Sequence, residues 1–220
     1  EMSASLVGSE MCIRDSPHDV QGLINLYGGS EEFASVLDTL FSMPVGMSGH
    51  DVPIDITGLI GQYAHGNEPS HHVAYLYNYA GQPHKAQQRL HEIMSTLYTD
   101  QPDGLCGNED CGQMSAWYVF SAMGFYPVNP AEGIYILGKP MVEKAEISIG
   151  DKPFKVKTVG WSDENIYVQS VKLNGRAYNK LFITHADIVN GGTLEFTMSS
   201  VPGNFKHAIL PPSMSETLNE

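Results

Sequence analysis

The amino-acid sequence predicts an α+β protein in which a helical part precedes a β part. From Pro17 to about Gly124, apolar residues recur at the helical spacing of three and four positions. After Pro127 they alternate with polar residues, which is the period of a strand. Prolines and glycines cluster between residues 127 and 140, where the period changes. Because such clusters interrupt regular structure, the boundary between the two parts is predicted there.

The helical part is predicted to begin with a hairpin of two short helices. Val20, Leu23, Ile24 and Tyr27 form one apolar stripe, which the Gly28-Gly29 pair ends. Ser30 then offers an N-cap for a second helix, whose apolar stripe runs from residue 33 to residue 40. Three further helices are predicted at residues 69–80, 83–98 and 112–123.

The β part is predicted to be antiparallel. Its alternating segments are residues 146–149, 155–159, 166–173, 181–184 and 193–198. The dipeptide Asn174-Gly175 is typical of a tight hairpin turn, so the third of these strands should fold back on the chain that follows it.

Charge and composition exclude several classes of function. The chain has 25 acidic residues against 12 lysines and arginines, a net charge of -13 that repels nucleic acid and anionic lipid. The most apolar stretch, residues 116–128, is interrupted and too short to span a bilayer. Three cysteines are too few for a disulfide scaffold, and Cys106 and Cys111 are expected to be free or paired with each other.

The first 16 residues are expected to be a non-native or disordered leader. Residues 6–16, LVGSEMCIRDS, are similar to a translated sequencing adapter, and natural sequence is then expected from Pro17. The alternative is a genuine polar N-terminal tail. The segment has none of the features of a signal peptide.

Two loops are dense in functional groups, and each precedes a predicted helix. The first contains residues 65–72, HGNEPSHH, and the second residues 103–113, DGLCGNEDCGQ. Glu68 and Asp110 could simply cap helices, because carboxylates are favourable at helix N-termini. Together with amides and aromatic side chains, however, the two carboxyls suit a carbohydrate site, in which polar groups bind hydroxyls and aromatic faces cover the ring.

Other interpretations of these loops are less favoured. His71 and His72 are adjacent, so they point to different sides of a helix and do not easily ligate one zinc ion. Trp117 is either a core residue or a residue that reaches the site.

Three segments closely resemble the catalytic domain of family 92 α-mannosidases of the glycoside hydrolases. They are PHDVQGL from residue 17, DITGLIGQYAHGNEPSHHVAYLYNYAGQP from residue 55 and DGLCGNEDCGQMSAWYVFSAMGFYPV from residue 103. The resemblance implies an (α/α)6 barrel fused to β-sandwich domains, calcium dependence and inversion at the anomeric carbon of terminal mannose. It assigns residues 17–130 to the C-terminal part of the barrel and residues 131–220 to a β-sandwich domain.

The resemblance also assigns roles to residues. Asp110 corresponds to the family's general base. The general acid is expected just before residue 17, where the adapter-like segment stands, so this chain is expected to lack the acid and to be inactive. The predicted substrate-binding residues are Asn67, Glu68, His71, His72, Glu109 and Trp117, and the calcium ligands are unassigned. Glu68, at a helix N-terminus, is expected to have a low pKa and to be a poor acid.

The expected function is therefore that of a fragment of an exo-α-mannosidase whose parent is periplasmic or extracellular and acts on glycans. Two alternatives stay open. One is a non-catalytic carbohydrate-binding fragment, and the other is an (α/α)6 glycosidase with a different sugar specificity.

Overall fold

The computed structural model describes residues 16–44, 56–149 and 152–217. It is an α+β protein in which most helices precede the main sheets, as predicted. The predicted leader lies outside the described residues except for Ser16. The helices are α1 (Val20–Leu26), α2 (Ser30–Ser42), α3 (Leu76–Tyr79), α4 (Pro83–Thr96), α5 (Gln113–Ala122) and α6 (His185–Val189). None of them is long and apolar enough to cross a membrane.

The predicted hairpin of α1 and α2 is present. Asp19 caps α1 by accepting a hydrogen bond from the backbone N–H of Gly22. Gly28 and Gly29 both adopt positive φ angles between the helices, a conformation that side chains disfavour. Tyr27 and Phe33 then contact each other across the turn, with ring centroids 5.6 Å apart.

The helix predicted over residues 69–80 is wrong in its first two turns. This segment forms 3₁₀ turns at Glu68–Ser70 and Val73–Tyr75 before the short α3 begins. Ser70 explains part of the difference, because its hydroxyl donates to the backbone carbonyls of Ala64 and Asn67 and fixes a tight turn. Residues 70–80 are buried throughout, so tertiary packing rather than an amphipathic period sets their conformation.

The sheets agree with most predicted strands but differ in one pairing. The strands are β1 (Leu59–Ile60), β2 (Tyr63–Ala64), β3 (Phe125–Tyr126), β4 (Ile134–Leu137), β5 (Lys144–Ile147), β6 (Phe154–Val159), β7 (Tyr167–Leu173), β8 (Arg176–Ala177), β9 (Phe182–Thr184) and β10 (Gly192–Ser199). The large sheet has the order β5-β6-β10-β7-β8, and the second has the order β3-β4-β9. Because β10 runs parallel to β6, the large sheet is mixed and the prediction of a purely antiparallel β part is wrong. The turn at Asn174-Gly175 joins β7 to antiparallel β8, as predicted.

Two apolar cores underlie this arrangement. One lies among α1–α5 and includes Phe33, Tyr77 and Trp117, whereas the other lies under the large sheet and includes Phe154 and Phe196. The first core supports the two loops that carry the candidate site.

Candidate functional site

The two loops that the sequence singled out lie side by side. Thr57, just before β1, donates its hydroxyl hydrogen bond to the backbone carbonyl of Cys106 at 2.9 Å. A Cβ atom on Gly66 would lie 2.6 Å from the same carbonyl oxygen. Glycine is therefore needed at position 66, because the backbones of the two loops approach too closely for a side chain.

Glu68 and Asp110 meet where these loops touch. The Glu68 carboxyl is hydrogen-bonded to Asp110, and this hydrogen bond, followed by burial, raises the pKa of Glu68. The predicted low pKa of Glu68 is therefore wrong. The N-terminus of the turn lowers the pKa of a carboxyl, but the neighbouring carboxylate of Asp110 has the larger, opposite effect on Glu68. Two negative charges at hydrogen-bond distance repel each other, so one of the two groups tends to keep its proton.

Asp110 begins a strained turn. Asp110, Cys111 and Gly112 have φ angles of 48°, 56° and 92°, so three consecutive residues are left-handed immediately before α5. Aspartate tolerates this conformation better than most residues, whereas for cysteine it is costly. The turn leaves Asp110 exposed at the surface. Strain of this kind is common where a side chain must be held for function.

Glu109 is used within the turn. Its carboxylate accepts hydrogen bonds from the backbone N–H and the hydroxyl of Ser115, at 3.0 and 2.9 Å. It thus satisfies a free N–H group in the first turn of α5, which is a capping role. Its predicted contact with substrate stays a prediction.

His71 connects the two loops on the buried side of the site. Its Nε2 atom lies 3.0 Å from the His65 carbonyl, and its Nδ1 atom lies 3.1 Å from Nε2 of Gln113. Because the carbonyl can only accept and the amide nitrogen can only donate, the proton of the neutral ring is on Nε2. Burial lowers the pKa of His71 to about 4, so the ring is neutral at pH 7. His72 is also buried.

Trp117 and His65 lie beneath these residues. Trp117 is fully buried, and its indole N–H donates to the His71 carbonyl at 2.9 Å. His65 is hydrogen-bonded to the hydroxyls of Tyr63 and Tyr98 at 2.8 and 2.6 Å, and burial lowers its pKa to about 2. Of the predicted site residues, Trp117 therefore supports the site from the core, and Asn67 lies at its side, next to Glu68.

Sequence reasoning missed the supporting roles of His65, Tyr98 and Gln113. His65 and Gln113 stand inside the two singled-out loops, so their positions were a usable signal. Tyr98 follows α4 and lies outside both loops, so no feature of the sequence indicated its role. Cys106 and Cys111 are both free thiols, one of the two predicted alternatives.

The donor chemistry at the loops suits a hard cation only in part. Glu68, Asp110 and the Asn67 amide offer oxygen atoms, which calcium prefers, but calcium takes six to eight of them. No group of three or more His, Cys, Asp or Glu side chains within the described ranges could hold a metal ion. These residues therefore supply at most part of a calcium shell.

Comparison with known proteins identifies the family to which this chain is similar. Residues 13–200 match the model of the glycosyl hydrolase family 92 catalytic domain. A family 92 α-mannosidase from Bacteroides thetaiotaomicron, solved in complex with mannoimidazole, is 45% identical with a TM-score of 0.84, covering 91% of this chain and 27% of its own. An inverting family 92 mannosidase from the same organism is 37% identical with a TM-score of 0.76, covering 90% of this chain and 28% of its own.

A curated relative from another organism is also similar to this chain. It is described as an uncharacterized secreted glycosidase of Arthroderma benhamiae and is 36% identical over 186 residues, which are 83% of this chain and 22% of that protein. Over most of this chain, the fold is that of the solved family 92 mannosidases. The chain belongs to glycosyl hydrolase family 92. It spans about a quarter of the length of the relatives it matches.

Proposed function

We propose that this chain contributes the base-bearing part of an inverting, calcium-dependent exo-α-mannosidase that releases terminal α-linked mannose from glycans. The observation that carries the proposal is the exposed Asp110 carboxylate, held in a strained turn against Glu68. Solved relatives described as an α-mannosidase and as an inverting mannosidase support the same reaction.

In this proposal Asp110 is the general base. An inverting glycosidase needs a carboxylate that removes a proton from water as the water attacks the anomeric carbon. Asp110 is exposed, so water and sugar can reach it, and its backbone is fixed by the turn ahead of α5. The neutral His71–Gln113 pair beneath it holds the turn without adding charge.

Glu68 does not suit the role of general acid, despite its raised pKa. The acid and base of an inverting enzyme are about 6.5–9.5 Å apart, which leaves room for the attacking water. Carboxyl groups joined by a hydrogen bond have oxygens only about 2.5–3 Å apart. We therefore assign Glu68, with Asn67 beside it, to binding sugar hydroxyls, and we place the proton donor outside the described residues.

The remaining predicted site residues divide into two groups. His71 has both ring nitrogens engaged within the protein, and Trp117 is fully buried, so both are assigned to positioning the loops. Glu109 supports the turn through Ser115. His72 is kept as a candidate substrate-binding residue.

Calcium is proposed as a cofactor of the complete site. When bound it would hold and polarise sugar hydroxyls through its preference for oxygen ligands. Glu68 and Asn67 are the described residues that could contribute ligands, and the sugar itself would supply others. The deprotonated form of Glu68 would be the ligand, so a cation there would offset the repulsion from Asp110.

The proposal extends to architecture and location. Residues 17–130 are proposed as part of an (α/α)6 barrel and residues 131–220 as a β-sandwich domain. The parent is proposed to work in the periplasm or outside the cell, which agrees with the description of the Arthroderma benhamiae relative as secreted.

A chimera tests the function. This chain replaces the matching quarter of the Bacteroides α-mannosidase that is 45% identical to it, and the product is assayed with aryl α-mannoside and aryl α-glucoside. Turnover of the mannoside alone is expected. Turnover of the glucoside alone would contradict the substrate, and a folded chimera that binds mannose without turnover would favour a non-catalytic binding role.

A further inference from the structure

One face of the large sheet carries an unusual concentration of lysines. The inward side chains of β6, Phe154, Val156 and Thr158, are buried, so the alternate residues Lys155 and Lys157 point outward. Most of the chain's 12 lysines and arginines lie after Gly138, although the whole chain has a net charge of -13. The β part is therefore far less acidic than the helical part.

Strand register places several of these lysines in one row. Lys144 of β5 lies opposite Lys157 of β6, Lys157 is paired with Glu195 of β10, and Glu195 lies opposite Lys172 of β7. One row across four strands thus contains three lysines and one glutamate. In the adjacent row, Glu146, Lys155 and Thr193 are neighbours.

The carboxylates of this face are too few for its lysines. Glu195 is shared by Lys157 and Lys172, at 2.9 and 3.2 Å, and the lysines lower its pKa. Glu146 lies 3.6 Å from Lys155. Within residues 16–44, 56–149 and 152–217, Lys144 has no ion-pair partner, and it stands directly opposite another lysine. Like charges in directly opposed positions destabilise a sheet, so an anion bound between them would relieve a repulsion.

A hollow of about 500 Å³ lies at this point of the sheet. Lysines 144, 155 and 157 border it together with Glu146 and the hydroxyl residue Thr193. Its volume is that of a small-ligand site. Ammonium, hydroxyl and carboxylate groups together can bind an oxyanion and the hydroxyls around it.

We propose that this hollow binds an anionic saccharide, a sugar unit that carries a carboxylate or sulfate group. The choice of a saccharide rests on the proposed glycosidase function, whereas the charge requirement rests on the lysine row alone. The ligand is small, because a long polyanion would extend over the acidic remainder of the chain. Beyond a Debye length of about 8 Å that remainder is screened from a single bound sugar.

Titration of the purified 220-residue chain tests the site, with amide chemical shifts of the β5, β6 and β10 residues as the readout. The probes are galacturonate, a galactose monosulfate and, as neutral probe, methyl α-mannoside. Saturable shifts at Lys157 and Thr193 are expected with one or both anionic probes and not with the neutral one, and the two anionic arms distinguish carboxylate from sulfate. If inorganic sulfate binds as tightly as the sulfated sugar, the proposal that the ligand is a saccharide is overturned.

Variants with matched charge changes complete the test. Lys144→Gln with Lys157→Gln is expected to weaken binding about tenfold, because exposed charge pairs contribute modestly. Glu146→Gln is expected to strengthen binding by freeing Lys155. Lys206→Gln, which removes an exposed charge elsewhere, is the control and should have no effect.

Equal affinity in the double lysine variant and the wild type, with both folded by circular dichroism, would overturn the site. So would a DNA oligonucleotide that binds with the same lysine dependence. Loss of this site leaves Asp110 untouched, and an inactive chimera leaves the titration unchanged, so the two proposals fail separately.

Discussion

The side chain of Gln113 donates a hydrogen bond from Nε2 to Nδ1 of His71 at 3.1 Å, joining residues 42 positions apart. Gln113 is the first residue of α5 and follows the strained turn of Asp110 directly, whereas His71 follows the turn that carries Glu68. This one bond therefore couples the positions of the two carboxyls.

Gln113→Leu should loosen that coupling. In the active chimera we expect kcat to fall about tenfold with little change in KM, since misplacement of the base affects the transition state more than binding. Gln113→Glu replaces the donor with a carboxylate and should raise the pKa of His71, measurable by NMR titration of its ring. Gln169→Leu, on an exposed position of β7, is the control and should leave both quantities unchanged.

Asp110→Asn should remove general-base catalysis. The amide keeps the size of the side chain but cannot accept a proton, so kcat of the chimera should fall roughly 10²-fold or more. Asp100→Asn, at an exposed position in the same connection between α4 and α5, is the matched control. A kcat of the Asp110→Asn variant within about threefold of the kcat of the parent chimera would exclude Asp110 from the mechanism.

The 220-residue chain alone should not hydrolyse mannosides, even with calcium added. Glu68 is hydrogen-bonded to Asp110, whereas the acid and the base of an inverting enzyme stand apart with room for a water molecule between them. The assay compares an aryl mannoside, whose good leaving group needs little acid help, with mannobiose, which needs much. Turnover of mannobiose that is lost in Glu68→Gln would show that Glu68 is the acid.

Acid should destabilise the fold through His65 and His71. Burial lowers the pKa values of these residues from 6.5 to about 2 and about 4, so they stay neutral in the fold while the unfolded chain takes up protons below pH 6.5. Their contribution to the free energy of unfolding is complete above pH 6.5 and falls as the pH drops towards 4. The free energy of unfolding, from urea titrations, should fall by roughly 1 kcal/mol per histidine for each pH unit below 6.

His71→Gln can keep both hydrogen bonds without a titrating ring, so it should reduce that slope. His207→Gln, at an exposed position, is the control. An unchanged slope in His71→Gln would contradict the contribution of His71.

Lys139→Met should stabilise the protein at neutral pH. Lys139 is buried, its hydrogen-bond partners among the described residues are His91 Nδ1 and Met141 Sδ, and burial lowers its pKa from 10.5 to about 8. The wild type therefore gains stability as the pH rises from 8 to 10.5. The advantage of the variant should be on the order of 2 kcal/mol at pH 7 and smaller at pH 10, by urea denaturation at both pH values.

Much of the fold could be predicted because period and turn chemistry act locally. The alternation over residues 155–159 and 193–198 gave both strands within two residues, and Asn174-Gly175 gave the hairpin. Alternation identifies the buried face of a strand but not its neighbour, so the parallel pairing of β6 with β10 was not predictable. The buried segment 70–80 lacks a polar face, and its 3₁₀ turns depend on contacts distant in sequence.

In the candidate site, too, the features set by local sequence were predictable and those set by distant contacts were not. The two loops were recognisable from their carboxyl, amide and imidazole groups, and they do lie together. The raised pKa of Glu68 was not predictable, because it arises from a residue 42 positions away rather than from its own turn. The burial of Trp117 beneath His71 likewise depends on tertiary packing.

The last strand among the described residues, β10, is the middle strand of the large sheet, between β6 and β7. The hairpins β5-β6 and β7-β8 form earlier in the chain but cannot join until residues 192–199 insert between them. During synthesis the sheet is therefore completed only after residues 192–199 have emerged, and the facing edges of β6 and β7 stay unpaired until then. Loss of residues 192–199 would leave two separate hairpins, each too small to be stable by itself.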